Sequence, residues 1–235
     1  YNNLIELFFD QYKKQDKNNI FLINLGNPKH KLSWEKTYLL VNHLSNQISN
    51  DIKLGDRCVL ISENRPEWLI SDLAIMLAGG ISVPSYTTYT TKDYEYIIKD
   101  CEPSVLIVSN NTQFNKIKDI LDYKKIKKII SFDRLENFKF QNYLCIEDII
   151  NKKDGFENFD SEISLKRSDP ACIIYTSGTQ GNPKGVMLSH GGILNNCEGS
   201  ISLLKEIISY KPKFLTWLPL SHSYDCLLYT SPSPR

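Results

Sequence analysis

Residues 175–186 read YTSGTQGNPKGV, directly after the apolar run ACII. The stretch holds three glycines, two threonines, one serine, one glutamine and one lysine, and no acid. Bare glycine backbone lets a ligand come close to the main chain. Successive N–H groups in such a loop form a concave nest suited to anionic oxygens. Thr176, Ser177 and Thr179 add hydroxyl donors. Lys184 adds a movable positive charge, and Pro183 stiffens the chain before it. The inventory consists of hydrogen-bond donors, which is what holding a di- or triphosphate requires.

Rival readings of these residues fare worse. The order and density of donors exceed what a loop that merely turns the chain needs. A Walker-type loop requires G-x-x-x-x-G-K-[ST]. Here Pro183 stands before Lys184, where the second glycine must be, and the loop is expected to run from strand to strand. The Ser-His-Ser at 221–223 lacks the G-x-S-x-G elbow of a serine hydrolase. His190 with Cys197, or His222 with Cys226, makes at most an incomplete metal set.

The longer run YTSGTQGNPKGVMLSH (175–190) resembles the phosphate-binding signature of the adenylate-forming enzymes: acyl-CoA synthetases, luciferases and peptide-synthetase adenylation domains. Gln180 departs from the pattern, standing where the family most often has threonine. Two further blocks agree. LGDRCVLISENRPEWLISDLAIMLAGGISVPSYTT (54–88) resembles long-chain fatty acyl-CoA synthetases in particular. FLTWLPLSH (214–222) resembles the segment that follows the phosphate loop and ends in a histidine near the acyl pocket.

The resemblance covers roughly 1–225 and implies a two-step reaction. A carboxylate attacks the α-phosphate of ATP, giving acyl-AMP and pyrophosphate, and coenzyme A thiol then displaces AMP. It implies that Thr176, Ser177, Gly178, Thr179, Gln180 and Gly181 cradle the phosphates, with Lys184 neutralising charge. Lys184 and Thr179 are the pair assigned to catalysis, and His222 to the acyl substrate. Trp217 and Leu218 are candidates to line the acyl pocket or to be plain core. A loop threonine is implied as a Mg²⁺ ligand, with the choice left open. The implied partners are a fatty acid, ATP and CoA. The family's Mg²⁺-binding glutamate loop, ribose-binding aspartate and lid lysine do not occur in these residues, so the chain alone is expected not to turn over. Alternatives are an adenylation domain that loads a carrier protein and a non-catalytic nucleotide-binding module.

The elements that must position these groups follow from periodicity. NNLIELFFDQYKKQ (2–15) has one apolar helical face. A strand is expected at 20–25, and a helix capped by Ser33 to about Ile48, with Trp34, Leu40, Val41, Leu44 and Ile48 inward. Next come a strand at 57–62, a helix capped by Asn64 with Pro66 in its first turn, and a strand at 80–84. A hydroxyl-rich turn and a helix bearing Asp93 and Glu95 follow. The pattern continues with a strand at 104–109, a helix at 111–122, and a strand ending at Ser131. After a polar linker (151–169) come a strand, the loop, a strand GVMLS, a helix from about His190 and a strand KFLTWLPL. Such alternation implies an α/β fold with parallel-sheet layers flanked by helices. By the resemblance this is the N-terminal part of a large domain. Residues 1–150 form a first subdomain, and 170–225 begin a second.

Composition agrees with a globular chain: 235 residues, 41% hydrophobic and 23% charged, with net charge +1. That balance recruits neither nucleic acid nor an anionic membrane. The basic run KKIKK (124–128) reads as a solvated face beside a strand. Six scattered cysteines without a C-x-x-C pair fit a reducing, cytoplasmic setting, with contact at a membrane periphery left open. The NNT at 110–112 matches a glycosylation acceptor, which carries little weight there. Both ends read as cut. Residues 226–235 lose the Asn, Lys and Ile of the preceding chain, as a frame change or junction would cause.

Overall fold

In the computed structural model, residues 1–27, 30–150, 164–176, 183–204, 215–216 and 219–221 are described. Nine strands and seven α-helices are assigned among them. A two-stranded antiparallel ribbon, β1 (Ile20–Ile23) with β2 (Lys31–Ser33), precedes the main sheet. The main sheet has seven strands: β3 (Arg57–Ile61), β4 (Ile81–Ser85), β5 (Val105–Val108), β6 (Lys128–Ser131), β7 (Tyr143–Cys145), β8 (Pro170–Thr176) and β9 (Lys184–Ser189). Their order is β7-β6-β5-β3-β4-β8-β9. All pairs are parallel except β8–β9. Parallel pairing needs a crossover of a dozen or more residues, and the connection 177–183 is too short for one.

Alternation along each strand divides the core. Cys58, Leu60, Val105, Ile107, Ile130, Cys172 and Ile174 point to one face. That face packs on α1 (Leu4–Lys14), α2 (Trp34–Ser49), α3 (Pro66–Leu77) and the start of α7 (His190–Leu204). Val59, Ile61, Leu106, Val108, Ile129 and Tyr175 point the other way. They meet α4 (Thr91–Cys101) and α5 (Asn111–Asn115). Every residue of α3 is buried, as expected of a helix covered by its sheet and by neighbouring helices.

Ser33 caps α2 by accepting from Lys36 N, as the sequence indicates. Trp34 is only half-buried, stacked on Phe21. Thr90 and Asp93 form a reciprocal capping box on α4.

Four local expectations need correction. The cap of α3 is Arg65, not Asn64, and it makes no side-chain cap bond. The helix expected over 111–122 is instead α5 followed by a 3-10 turn, Lys118–Ile120. Ile117 breaks it with φ −123°, yet Phe114 and Ile117 keep their side chains in the core. The KKIKK run is not simply a solvated face. Lys128 is buried, donates to Gln47 O at 2.8 Å and pairs with Asp51 at 2.5 Å. Among residues expected in a strand at 213–220, the described ones (215, 216, 219 and 220) lie outside any strand.

The sheet continues unbroken from the strands before residue 150 into β8 and β9. Most of the expected linker, 151–163, lies outside the described residues, as does the tail 226–235. The described end, 164–169, is tied to the residues that lead into α1: Asn3 Nδ2 donates to Leu165 O at 3.0 Å, and an Arg167 guanidinium N–H donates to Tyr1 O at 2.6 Å.

Candidate phosphate site

Strand β8 is apolar because both of its faces are covered, and it delivers Thr176 to solvent at its carboxyl end. In α/β sheets ligands gather outside the carboxyl ends of parallel strands. The chain returns as β9 in a register that sets Thr176 opposite Lys184 and Tyr175 opposite Gly185. Thr176 and Lys184 therefore face each other across the mouth of the hairpin, both exposed. Ser177, Gly178, Thr179, Gln180 and Gly181 lie between them, outside the described residues. His222, Trp217 and Leu218 also lie outside. The structure thus brings together Thr176 and Lys184 of the sequence-derived set.

The base of the hairpin is locked from below. Tyr175 is buried, and its hydroxyl donates to Asp100 Oδ2 at 2.5 Å. Burial, then the carboxylate of Asp100, raises the Tyr175 phenol well above its ordinary range. The Tyr175 carbonyl accepts from the Tyr89 hydroxyl at 3.1 Å. Tyr89 is held edge-on between Tyr86 and Tyr94, at centroid distances of 5.3 and 5.9 Å. Tyr94 in turn donates to Tyr86 O at 2.6 Å. The hydroxyl-rich turn TTYTT (87–91) was visible in the sequence, but the target of Tyr89, the main chain of β8, was not.

Gly185 is dictated by contact. A Cβ there would lie 2.9 Å from Ile173 Cγ2 and 3.2 Å from the Tyr175 ring. A side chain would push β9 off β8 at the pair next to Lys184. Beyond β9, Ser189 Oγ accepts from Gly192 N at 3.1 Å and caps the first turn of α7. Gly191 lets that turn sit against Arg167, whose carbonyl oxygen would be 2.9 Å from an added Cβ.

His190 is buried, and its Nδ1 accepts from Leu4 N at 3.4 Å. It satisfies one of the amides at the start of α1 that have no partner within that helix. Burial pushes the imidazole down to about 4, with Asp169 opposing weakly. His190 is thus a neutral structural acceptor. The described cysteines, Cys58, Cys101, Cys145, Cys172 and Cys197, are buried thiols, and burial raises Cys101 to about 12. No group of three or more metal-ligating side chains occurs among the described residues. No helix among them is long and apolar enough to cross a membrane.

The segment ENRPEW (63–68), read from sequence as helix-start chemistry only, ties distant parts together. Arg65 grips Asp133 with two bonds of 2.9 Å and Glu67 with bonds of 3.2 and 3.3 Å. Asn64 reaches residues 216 and 220. Nothing in the local sequence points to Asp133, Thr216 or Leu220, which lie far along the chain.

Comparison with known proteins agrees with this geometry. The family model described as AMP-binding enzyme matches residues 8–232. The long-chain-fatty-acid–CoA ligase ACSBG2 of Xenopus laevis is 32% identical over 207 residues, covering 84% of this chain and 28% of the relative. Long chain acyl-CoA synthetase 3 of Arabidopsis thaliana is 33% identical over 213 residues, covering 83% and 31%. The chain therefore spans about three tenths of the length of these relatives. In fold, it resembles the inhibitor-bound N-terminal domain of FACL13 from Mycobacterium tuberculosis, with TM-score 0.80, 17% identity, and 99% and 56% of the two chains covered. It also resembles ATP-bound MatB from Rhodopseudomonas palustris, with TM-score 0.74, 22% identity, and 98% and 44% covered. With the signature run on a strand–loop–strand hairpin and a match across nearly its whole length, the chain belongs to the AMP-binding enzymes.

Proposed function

We propose that the full-length protein activates a carboxylic acid with ATP and transfers the acyl group to coenzyme A. The observation that carries the reading is the β8–β9 hairpin, in which Thr176 faces Lys184 at the carboxyl end of a parallel strand. The donor set of 176–184 fits a polyphosphate: hydroxyls at 176, 177 and 179, an ammonium at 184, and no carboxylate among them. The similarity to ligases of long-chain fatty acids supports such an acid as substrate.

In this reading a carboxylate oxygen attacks the α-phosphorus of ATP, and the bond to the bridging oxygen breaks. Pyrophosphate leaves with the electron pair. The CoA sulfur then attacks the acyl carbon of the mixed anhydride. Its proton passes to solvent, and AMP leaves. Charge accumulates on phosphate oxygens in the first step. The protein therefore contributes chiefly by positioning and by donors fixed in advance. Loop amides with Thr176, Ser177 and Thr179 hold the β- and γ-oxygens, and Lys184 balances their charge. Gln180 donates where a hydroxyl is more usual. His222 is the residue assigned to the acyl substrate. Mg²⁺, when bound, would supply further charge compensation at the phosphates, and a threonine hydroxyl of the loop would help to hold it.

The test is to supply the full-length protein with ATP, Mg²⁺, a long-chain fatty acid, and either CoA or a phosphopantetheinyl carrier protein. Acyl-CoA with matching AMP and pyrophosphate is expected. Acyl-carrier formation without acyl-CoA would replace the acceptor. Nucleotide binding without acid-dependent pyrophosphate exchange would overturn the reading.

A further inference from the structure

The order β7-β6-β5-β3-β4-β8-β9 reverses direction at β3. From β3 the chain moves to β4 on one side, then crosses to β5 on the other. Ligand crevices in open α/β sheets form at such a reversal, beyond the carboxyl ends of the strands. Asn64 sits three residues beyond Ile61, the last residue of β3. It does not cap α3, whose cap is Arg65. Leu220 N donates to Asn64 Oδ1 at 2.9 Å, and Asn64 Nδ2 donates to Thr216 O at 3.5 Å. One amide side chain thus meets main-chain groups on both sides of Trp217–Pro219, more than 150 residues away in sequence. The clamped end is seated: Leu220 and Ser221 are buried, and Leu220 belongs to the core facing α1 to α3. The neighbouring residue Arg65 is fixed to Asp133 after β6 and to Glu67 in α3, so Asn64 projects from a braced turn.

We propose that Asn64 is a positioning residue. It ties Thr216 and Leu220 to the carboxyl end of β3, within the block FLTWLPLSH (214–222) that the proposed function assigns to the acid. The acid-side role of that block rests on the proposed function; the clamp itself does not. The amide suits the task because it offers one acceptor and one donor in fixed relation. An aspartate keeps the acceptor for Leu220 N and loses the donor. An alanine loses both. A clamp on the acid side moves recognition of the acid and leaves ATP, held by the β8–β9 hairpin, largely untouched.

The experiment has two arms. In this chain, hydrogen exchange at Leu220 is followed in the native protein, Asn64→Ala and Asn64→Asp, with amides of β3 and β5 as internal controls for folding. In the full-length protein, KM for a long-chain fatty acid and KM for ATP are measured separately for the same set. Asn64→Ala is expected to speed exchange at Leu220 about tenfold, as loss of one such bond does, with the controls unchanged. It is also expected to raise KM for the acid about tenfold and KM for ATP less than about twofold. Asn64→Asp is expected to keep the Leu220 amide protected. Unchanged Leu220 exchange in Asn64→Ala, or equal rises in both KM values, would overturn the proposal. A native full-length protein that activates no acid would instead overturn the proposed function, and the exchange arm would still decide whether the clamp exists.

Discussion

Replacing Gly185 by alanine tests whether the hairpin's register is set by contact beneath the loop. The new Cβ would lie 2.9 Å from Ile173 Cγ2 and 3.2 Å from the Tyr175 ring. Neither neighbour can yield easily. Cγ2 is the branch methyl of a strand isoleucine, stiff at χ1. The Tyr175 ring is held at its tip by Asp100. Overpacking of this kind costs about 1–3 kcal/mol. Losing a strand glycine returns about 0.5–1 kcal/mol. The net expectation is a loss of about 1–2 kcal/mol, read by urea unfolding. The same substitution in an Ile173→Ala background should cost less by about 1 kcal/mol, because the opposing methyl is gone. In the full-length protein, Gly185→Ala should slow pyrophosphate exchange, and the double variant should recover part of that rate, since the next pair in the register is Thr176 with Lys184. A Gly185→Ala chain as stable as the native one, or a cost unchanged by Ile173→Ala, would refute the contact argument.

Two buried titratable groups should give opposite pH dependences. Asp72 is buried in α3, and burial raises its carboxyl from 3.8 to about 7; Ser82 offsets little, since Ser82 Oγ and Asp72 Oδ1 both lack a hydrogen bond of ordinary geometry. Between these values the folded chain holds a proton that the unfolded chain has released, so this group lowers stability as pH rises, by about 4 kcal/mol in total. Asp72→Asn should therefore stabilise the chain more at pH 8 than at pH 5 in urea unfolding; an equal effect at both would contradict a neutral carboxyl. His190 works the other way. Its imidazole is pushed from 6.5 to about 4, so the unfolded chain binds the extra proton and stability falls on acidification, by about 3 kcal/mol. His190→Asn should flatten the acid limb between about pH 6.5 and 4, and an unaltered limb would show that His190 is not the group responsible.

Local signals survived into the structure where the partners were near in sequence. Ser33, Thr90 and Asp93 cap their helices because the amides they serve are three residues away. The buried strands at 57–61 and 105–108 were legible because residues covered on both faces must be apolar in succession. What the sequence hid was long-range pairing. Lys128 looked like one of several surface lysines until β6 placed it against Asp51 and Gln47. Asn64 looked like a cap because it precedes Pro66, yet its partners are residues 216 and 220. Tyr89 could be read only as one hydroxyl in a polar turn; its bond to Tyr175 O depends on β8 lying beside β4. For the phosphate site, the run of donors was explicit in the sequence, whereas the facing of Thr176 and Lys184 had to come from the register of β8 and β9.

The decisive measurement is acid-dependent exchange of labelled pyrophosphate into ATP by the full-length protein, native against the double variant Thr179→Ala, Lys184→Ala. Each substitution removes a donor to a charged group, at about 1.5–3 kcal/mol apiece. Together the losses amount to about a hundredfold or more in rate, while the described fold, read by circular dichroism, stays intact because Lys184 is exposed. Exchange at the native rate in the double variant would mean that the hairpin does not hold the triphosphate.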